Sequence, residues 1–276
     1  MSTNAVPLRA VWAALSVIGL AAAVAGCGAD EPPAGTPVTL TAHTADESRP
    51  SPDVLQAART VIEKRAEDAG LNGTTVEVGT DGLTVTVPGD DGTRARAIGR
   101  TGRLHLRPVL STAPSNQFGT VPGKAQRQST DPAVQAQTLA NLECTDTDPL
   151  VDGDDPALPM ITCDTDRKTV YLLGPAFIEN GIADAQPQLD QRSSRHTVLI
   201  TFDATAGAKY MAYTAANLYT MVAFTVDGTV LSAPQIQAAM TSPLTQLSGS
   251  QLTEESTTDL ARTLRFGALP LTFTAS

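Results

Sequence analysis

Three cysteines are the side chains in this sequence with the most chemistry open to them. Cys27 follows an apolar run, from Ala10 to Ala25, that is preceded by a single charge, Arg9. Small residues stand directly before this cysteine, which is typical of a bacterial lipobox, where the cysteine receives lipid and becomes the new N-terminus. An ordinary cleaved signal, or an uncleaved anchor, would show the same apolar run without using the thiol. The position, the composition and the polar segment that follows favour the lipobox, so we expect acylation of Cys27, for example with palmitate.

The other two cysteines form an even pair once Cys27 is set aside. Outside the membrane the compartment is oxidising, and the pattern predicts a disulfide between Cys144 and Cys163. A zinc site is the competing interpretation, but two cysteines without a nearby histidine are poor zinc ligands. The three histidines are far apart in sequence and are expected to be ordinary strand or loop residues: His43, His105 and His196.

An acidic stretch lies between these two cysteines. Clustered carboxylates suit a hard cation such as calcium, but the spacing lacks the glutamate and the full pattern of a known calcium loop. A solvated acidic loop is therefore the favoured interpretation. The aspartates concerned are Asp146, Asp148, Asp152, Asp154 and Asp155.

Enzymatic and nucleic-acid functions find little support in the sequence. It contains no G-x-S-x-G elbow, no glycine-rich phosphate loop and no metal-spaced cluster of ligands, so we expect a protein that is not an enzyme and uses no cofactor or metal. The formal charge of −10 gives no electrostatic footprint for nucleic acid. An acidic chain is not drawn to an anionic bilayer either, so the lipid must hold it on the extracytoplasmic side of the cell membrane.

Hydrophobic periodicity over residues 38–110 predicts the order strand, helix, strand, strand, helix, strand. Alternation starts at Val38, and a helix capped by Ser51 and Pro52 continues to Gly70. Two short alternating strands around an Asp81-Gly82 turn then form a hairpin. A shorter helix and the alternating segment "GRLHLRPVL" follow. This order predicts a ferredoxin-like βαββαβ unit in an α+β fold.

The remainder of the chain divides into an irregular part and a second structured part. Residues 111–168 show little periodicity and are interpreted as an insertion held by the disulfide. Residues 169–267 predict strands, an alanine-rich helix, a hairpin around Asp227-Gly228 and a final helix capped by Thr253. A closing apolar strand follows the break at Gly267.

In this order, the segments resemble the first large extracytoplasmic domain of SecD, a membrane subunit that assists protein export. The most specific strings are "DGTVLSAP" and "LRFGALP", because periodicity alone does not dictate them. The resemblance covers most of the chain after Cys27 and implies a two-part domain whose last strand returns from the head to the base. The resulting division is a lipoprotein signal peptide (1–26), a flexible tether (27–37), a ferredoxin-like base (38–110), the insertion (111–168), a head (169–267) and the closing strand of the base (268–276).

The resemblance implies a membrane-anchored module that contacts exported or unfolded polypeptides, or assists the protein-export machinery. SecD family members carry membrane helices that use the proton gradient, and we expect no proton coupling in this chain itself. The alternative is an envelope adaptor that docks on a membrane transporter or a cell-wall complex. Five residues in and after the alanine-rich helix form a hypothetical contact surface or, as the pattern favours, part of the core: Tyr210, Met211, Tyr213, Tyr219 and Met221.

Overall fold

The structure is a computed structural model that describes residues 34–44, 48–145, 150 and 153–276. The first described elements are β1 (Val38–His43), α1 (Pro52–Asp68), β2 (Thr75–Val78), β3 (Gly82–Thr86), α2 (Thr93–Ile98), β4 (Leu104–Pro114), α3 (Lys124–Arg127) and α4 (Pro132–Asn141). The others are β5 (Met160–Cys163), β6 (Thr169–Leu173), β7 (Ile178–Glu179), β8 (Ile182–Asp190), β9 (Arg195–Phe202), α5 (Ala204–Ala216), β10 (Val222–Val226), β11 (Thr229–Ser232), β12 (Leu244–Ser248), α6 (Glu254–Arg265) and β13 (Thr272–Ala275). The paired strands are antiparallel and the helices pack on their faces, which confirms the α+β class.

The base sheet has the strand order β13-β1-β3-β2. Helix α1 begins as the sequence predicts, with Ser51 as N-cap and Pro52 in the first turn. It buries Leu55, Ala58 and Ile62 against the sheet. Burying such a stripe is what stabilises a helix of this length on a sheet.

The fourth position of the base sheet is occupied by β13 rather than by β4. The prediction that "GRLHLRPVL" completes the base was therefore wrong, although the ferredoxin-like strand order is retained. The prediction relied on the alternation of Leu104 and Leu106 with charged neighbours. In the structure His105 and Arg107 are buried too, because β4 lies inside another sheet.

That large sheet has the order β11-β10-β4-β6-β5, and β7 also pairs with β4. Its two ends approach each other, since Asp164 beside β5 forms a parallel bridge with Val230 of β11. The Thr162 hydroxyl also donates to the Gly228 carbonyl at 2.6 Å. The sheet is therefore partly closed around a small core of Leu150, Met160, Leu173, Ala223 and Val230.

The third sheet has the order β12-β9-β8 and packs against α5 and α6. Helix α6 is capped by Thr253, as predicted, and Ser256 completes the capping box. It buries Leu260, Ala261 and Leu264 in the same core as the inward face of β9. Strands β8 and β12 escaped prediction because their exposed residues break the apolar alternation.

Residues 111–168, expected to be irregular, contain regular structure. Strand β4 runs on to Pro114, and α4 begins at an Asp131 cap followed by Pro132. These two residues are a standard helix start. The signal was present in the sequence, but the mixed polar composition of α4 gave it no strong apolar stripe to accompany it.

Arg65 of α1 is a fully buried cation that joins three helices. Its guanidinium donates to the carbonyl oxygens of Ile98 and Arg100, at the end of α2, and to those of Thr263 and Gly267, at the end of α6. Helix C-termini carry unpaired carbonyls and partial negative charge, so a cation is stabilised there. Burial lowers the pKa of Arg65 to about 10, while the charge of Asp227 opposes the shift.

Candidate functional site

The structure joins Cys144 and Cys163 in a disulfide with a Cα–Cα distance of 5.9 Å. The bond ties the segment after α4 to the end of β5. Leu139 and Cys144 also pack on the cluster that contains Leu142, Ile161 and Val170. Cys27, the expected lipid-attachment residue, lies outside the described residues.

Asp154 is the member of the acidic stretch that the structure places most differently from expectation. Its Oδ2 lies 2.6 Å from Arg107 Nη2 and 3.1 Å from His105 Nδ1, and all three side chains are almost fully buried. Burial alone would raise the pKa of Asp154, but the hydrogen bonds and charges of His105 and Arg107 outweigh it and lower this pKa to about 2. Asp154 therefore belongs to an enclosed ion pair, whereas Asp146, Asp148 and Asp152 lie outside the described residues.

The described part of the chain offers neither a cluster of metal ligands nor a membrane-spanning helix. There, no group of three or more His, Cys, Asp or Glu side chains is arranged to hold a metal ion. Nor do the described residues include a helix with the length and apolar character needed to span a bilayer.

Most of the aromatic and methionine set predicted around α5 belongs to the interior. Tyr210 packs in the core, and its hydroxyl lies 3.1 Å from Thr245 Oγ1. The ring of Tyr213 stacks on Phe177 at a centroid distance of 3.9 Å. Met211 and Met221 are half-buried. The core interpretation is thus right for Tyr210 and Tyr213, and Tyr219 is the exposed member of the set.

Tyr219 stands in the loop between α5 and β10, where its side chain is 68% exposed. Its φ of 65° lies in the left-handed region, which is unusual for a bulky residue. Two hydrogen bonds hold it there: its N–H donates to the Ile236 carbonyl at 2.8 Å, and its carbonyl accepts from Gln235 Nε2 at 2.8 Å. The neighbouring Leu218 is 41% exposed. We refer to Leu218 and Tyr219 as the α5–β10 corner.

The outer edge of β8 is a poor template for adding a foreign strand. Both Nε and Nη2 of Arg265 donate to the Ala185 carbonyl, at 3.2 and 3.0 Å. Two residues further on, Pro187 has no N–H to offer. A natural edge is protected in this way against strand addition. A polypeptide ligand would therefore meet side chains rather than this edge.

A cleft of about 450 Å³ lies between the end of α1, α2 and the first half of α6. Its floor is apolar, with Leu71, Ala97 and Ile98. Its rim carries Arg94 on one side and Glu254 on the other. The same rim includes Arg262, which is already paired with Asp68 and Asp259.

Known proteins share this arrangement of sheets and helices. Residues 160–271, which run from β5 to just before β13, match the family model described as the P1 head subdomain of SecDF. The SecD likeness extends beyond this head: the protein translocase subunit SecD of Mycobacterium tuberculosis strain H37Rv is 33% identical, over 88% of this chain and 56% of that protein. SecD of Rhodobacter capsulatus is 29% identical, over 86% of this chain and 37% of that protein. The chain thus spans about half, or less, of the length of these SecD relatives.

Two solved SecDF structures carry the same fold. One, described as a membrane component SecDF that enhances protein export, has a TM-score of 0.56 and 26% identity, over 87% of this chain and 98% of that chain. The other, SecDF in a super-membrane-facing form, has a TM-score of 0.60 and 25% identity, over 90% of this chain and 31% of that chain. The SecD resemblance and the α+β fold predicted from the sequence are thereby confirmed.

Proposed function

We propose that this chain is a non-enzymatic, SecD-like extracytoplasmic domain that assists protein export while anchored to the membrane by lipid on Cys27. The observation that carries the export role is the extent of the SecD likeness, which covers 88% of the chain and not only its head. The signal-like apolar run before Cys27 supports the anchor and the extracytoplasmic position.

Within this role, the α5–β10 corner is the contact for exported polypeptides. Tyrosine offers a large amphipathic surface at a low cost in conformational entropy, and unfolded segments expose apolar side chains that suit it. The left-handed backbone conformation at Tyr219 costs on the order of 1 kcal/mol or more in conformational free energy. The folded chain keeps the Tyr219 ring exposed despite this cost. Its two backbone hydrogen bonds keep the ring outward before any ligand arrives, which reduces the ordering cost of binding.

The test is site-specific photocross-linking in cells. A photoreactive amino acid replaces Tyr219, and a secreted precursor is arrested during export. The matched control carries the same amino acid at Glu77, an exposed residue of β2. We expect a precursor adduct from position 219 and none from position 77. SecD carrying the probe at its corresponding corner serves as the positive control.

Failure of position 219 to capture the precursor, while the SecD control succeeds, would contradict the contact. Adducts to a membrane transporter or a cell-wall complex, without precursor, would instead support the envelope-adaptor alternative. Lipidation is tested separately by labelling with an alkyne analogue of palmitate. We expect label on the parent chain and none on Cys27→Ser.

A further inference from the structure

A long cationic segment stands out in this acidic chain. From Gly92 to Thr130 the sequence has no Asp or Glu but seven Arg or Lys residues, although the whole chain carries a formal charge of −10. The bulk charge therefore conceals a local excess of positive charge. The position of each cation in the fold decides whether that excess is usable.

Two of these cations remain available at the surface of the base. Arg107 and Arg127 are buried, and Arg94 lines the cleft opposite Glu254. Arg96, in the last turn of α2, and Arg100, two residues after the end of α2, are exposed and form no ion pair with a described residue.

The carboxylates nearest to this pair are already engaged. Asp90 accepts hydrogen bonds from the N–H groups of Gly92, Arg94 and Ala95 at the start of α2. Asp91 accepts from the Thr93 N–H and lies within electrostatic range of Arg96. A fully exposed carboxylate compensates a neighbouring cation only weakly, so the Arg96–Arg100 face keeps positive character.

This face lies beside the point where the described chain begins. The Thr36 N–H donates to the Asp90 carbonyl at 2.8 Å. A Cβ placed on Gly92 would lie 3.0 Å from Val38 Cγ2 and 3.1 Å from Arg96 Nη1, so the Arg96 guanidinium is next to the first residue of β1. Thr36 is only nine positions after Cys27 in the sequence, a span of at most about 30 Å.

We propose that the Arg96–Arg100 face binds the anionic phospholipid headgroups of the membrane that carries the lipid on Cys27. The inference rests on the anchor in the proposed function. The lipid on Cys27 holds the chain at the bilayer without fixing its orientation, and a basic surface is a common additional membrane contact. Arginine forks match phosphate geometry, and each cation at an anionic surface contributes about fivefold to binding. A tether of this length limits how far this face can lie from the bilayer.

The test uses the full chain, purified with its lipid and reconstituted into protein-free vesicles that contain phosphatidylglycerol. A dye is attached to Thr93→Cys, which is the only free thiol because Cys144 and Cys163 are joined and Cys27 is acylated. The matched position is Gln191→Cys, in the exposed turn between β8 and β9. A lipid with a quencher in its headgroup reports proximity. Flotation of the vesicles reports whether the chain is anchored.

We expect strong quenching at position 93, weak quenching at 191, and loss of the difference in zwitterionic vesicles or at about 1 M salt, where the screening length falls to about 3 Å. The double variant R96Q/R100Q should lower the equilibrium constant for docking of this face on the vesicle surface by about 30-fold. The variant R192Q/R195Q makes the same charge change in the β8–β9 turn and should leave it unchanged.

Equal quenching at 93 and 191 in floating protein, or equal effects of the two double variants, would overturn the docking and leave the anchor intact. Quenching at 93 that requires native membranes would also overturn it, in favour of a protein partner. A chain that fails to float would overturn the anchor and the docking together, while cross-linking from Tyr219 would still test export separately.

Discussion

Two fully buried arginines, Arg65 on α1 and Arg107 on β4, differ in the groups that surround their guanidinium ions. Arg65 donates to backbone carbonyls at the ends of α2 and α6 and forms no ion pair with a carboxylate of the described residues. Arg107 donates to Asp154 at 2.6 Å and to the carbonyls of Leu158 and Gly174. In both residues Nε finds no acceptor among the described atoms.

The difference shows two ways of keeping a charge inside a protein. At Arg65 the compensation comes from peptide dipoles, and burial lowers the pKa of the guanidinium to about 10, so it stays protonated at neutral pH. At Arg107 it comes from a formal charge, and the pKa of Asp154 falls to about 2. The first arrangement joins elements almost 200 residues apart in sequence. The second joins β4 to the segment between the two cysteines.

The largest effect is expected from Arg65→Met. This change removes the donor of five backbone carbonyls, and the resulting loss is about 5 kcal/mol in the free energy of unfolding, at about 1 kcal/mol for each bond. Urea unfolding followed by circular dichroism measures it. Arg59→Met is the matched control, because Arg59 lies on the same helix but is 40% exposed and pairs only with Glu63. A loss similar to that of the control would refute the carbonyl account.

Asp154→Asn should cost about 4 kcal/mol, because it leaves the Arg107 charge buried without a counter-charge. The double variant Asp154→Leu/Arg107→Met removes both charges and should be more stable than Asp154→Asn alone. No equivalent rescue exists at Arg65, where the partners are backbone atoms. The experiment is a double-mutant cycle in which urea unfolding compares the parent chain, Asp154→Leu, Arg107→Met and the double variant. Strictly additive losses would show that Asp154 and Arg107 do not act as a pair.

The sequence predicted elements whose signals are local, and the resemblance to SecD added that the closing strand returns to the base, which the pairing of β13 with β1 confirms. Ser51-Pro52 and Thr253 mark helix starts that the structure contains, because a cap acts within three residues. The hairpin at Asp227-Gly228 was equally predictable, since both residues adopt positive φ. The place of β4 outside the base sheet was not predictable, because alternation tells which residues share a face and not which strand they join.

The candidate site was less accessible to prediction than the fold. The α5 pattern suggested five candidate contact residues, of which Tyr210 proved to be core and Tyr219 exposed. The difference arises at the end of α5, where the chain turns into the left-handed region and carries the Tyr219 ring outward. Asp154 was misjudged for a related reason. Its partners His105 and Arg107 are about 50 residues away, and no local pattern announces an ion pair of that span.

Removing the disulfide should destabilise the region around Arg107 without changing any charged side chain. Cys144→Ala/Cys163→Ala releases a loop of 19 residues and should cost about 3 kcal/mol. Hydrogen exchange should locate the loss in β5 and the segment around Leu158, while amides near Arg65 remain as protected as in the parent chain up to the global limit. Equal loss of protection around Arg65 and Arg107 would show that the two regions unfold as one unit.

The smallest expected effect is a pH dependence of the unfolding free energy, which should be present at the Asp154–Arg107 pair and absent at Arg65. The folded pKa of Asp154, about 2, lies below its ordinary value of 3.8, so the unfolded state binds more protons between these values. The stabilisation is therefore fully present above about pH 5 and is lost as the pH falls toward 2, with an amplitude of about 2 kcal/mol. Other carboxylates titrate in the same window, so the quantity to measure is the difference in unfolding free energy between the parent chain and Asp154→Asn from pH 6 to pH 2. That difference should shrink with acid, whereas the difference between the parent chain and Arg65→Met should stay constant over the same range, because Arg65 remains protonated throughout it.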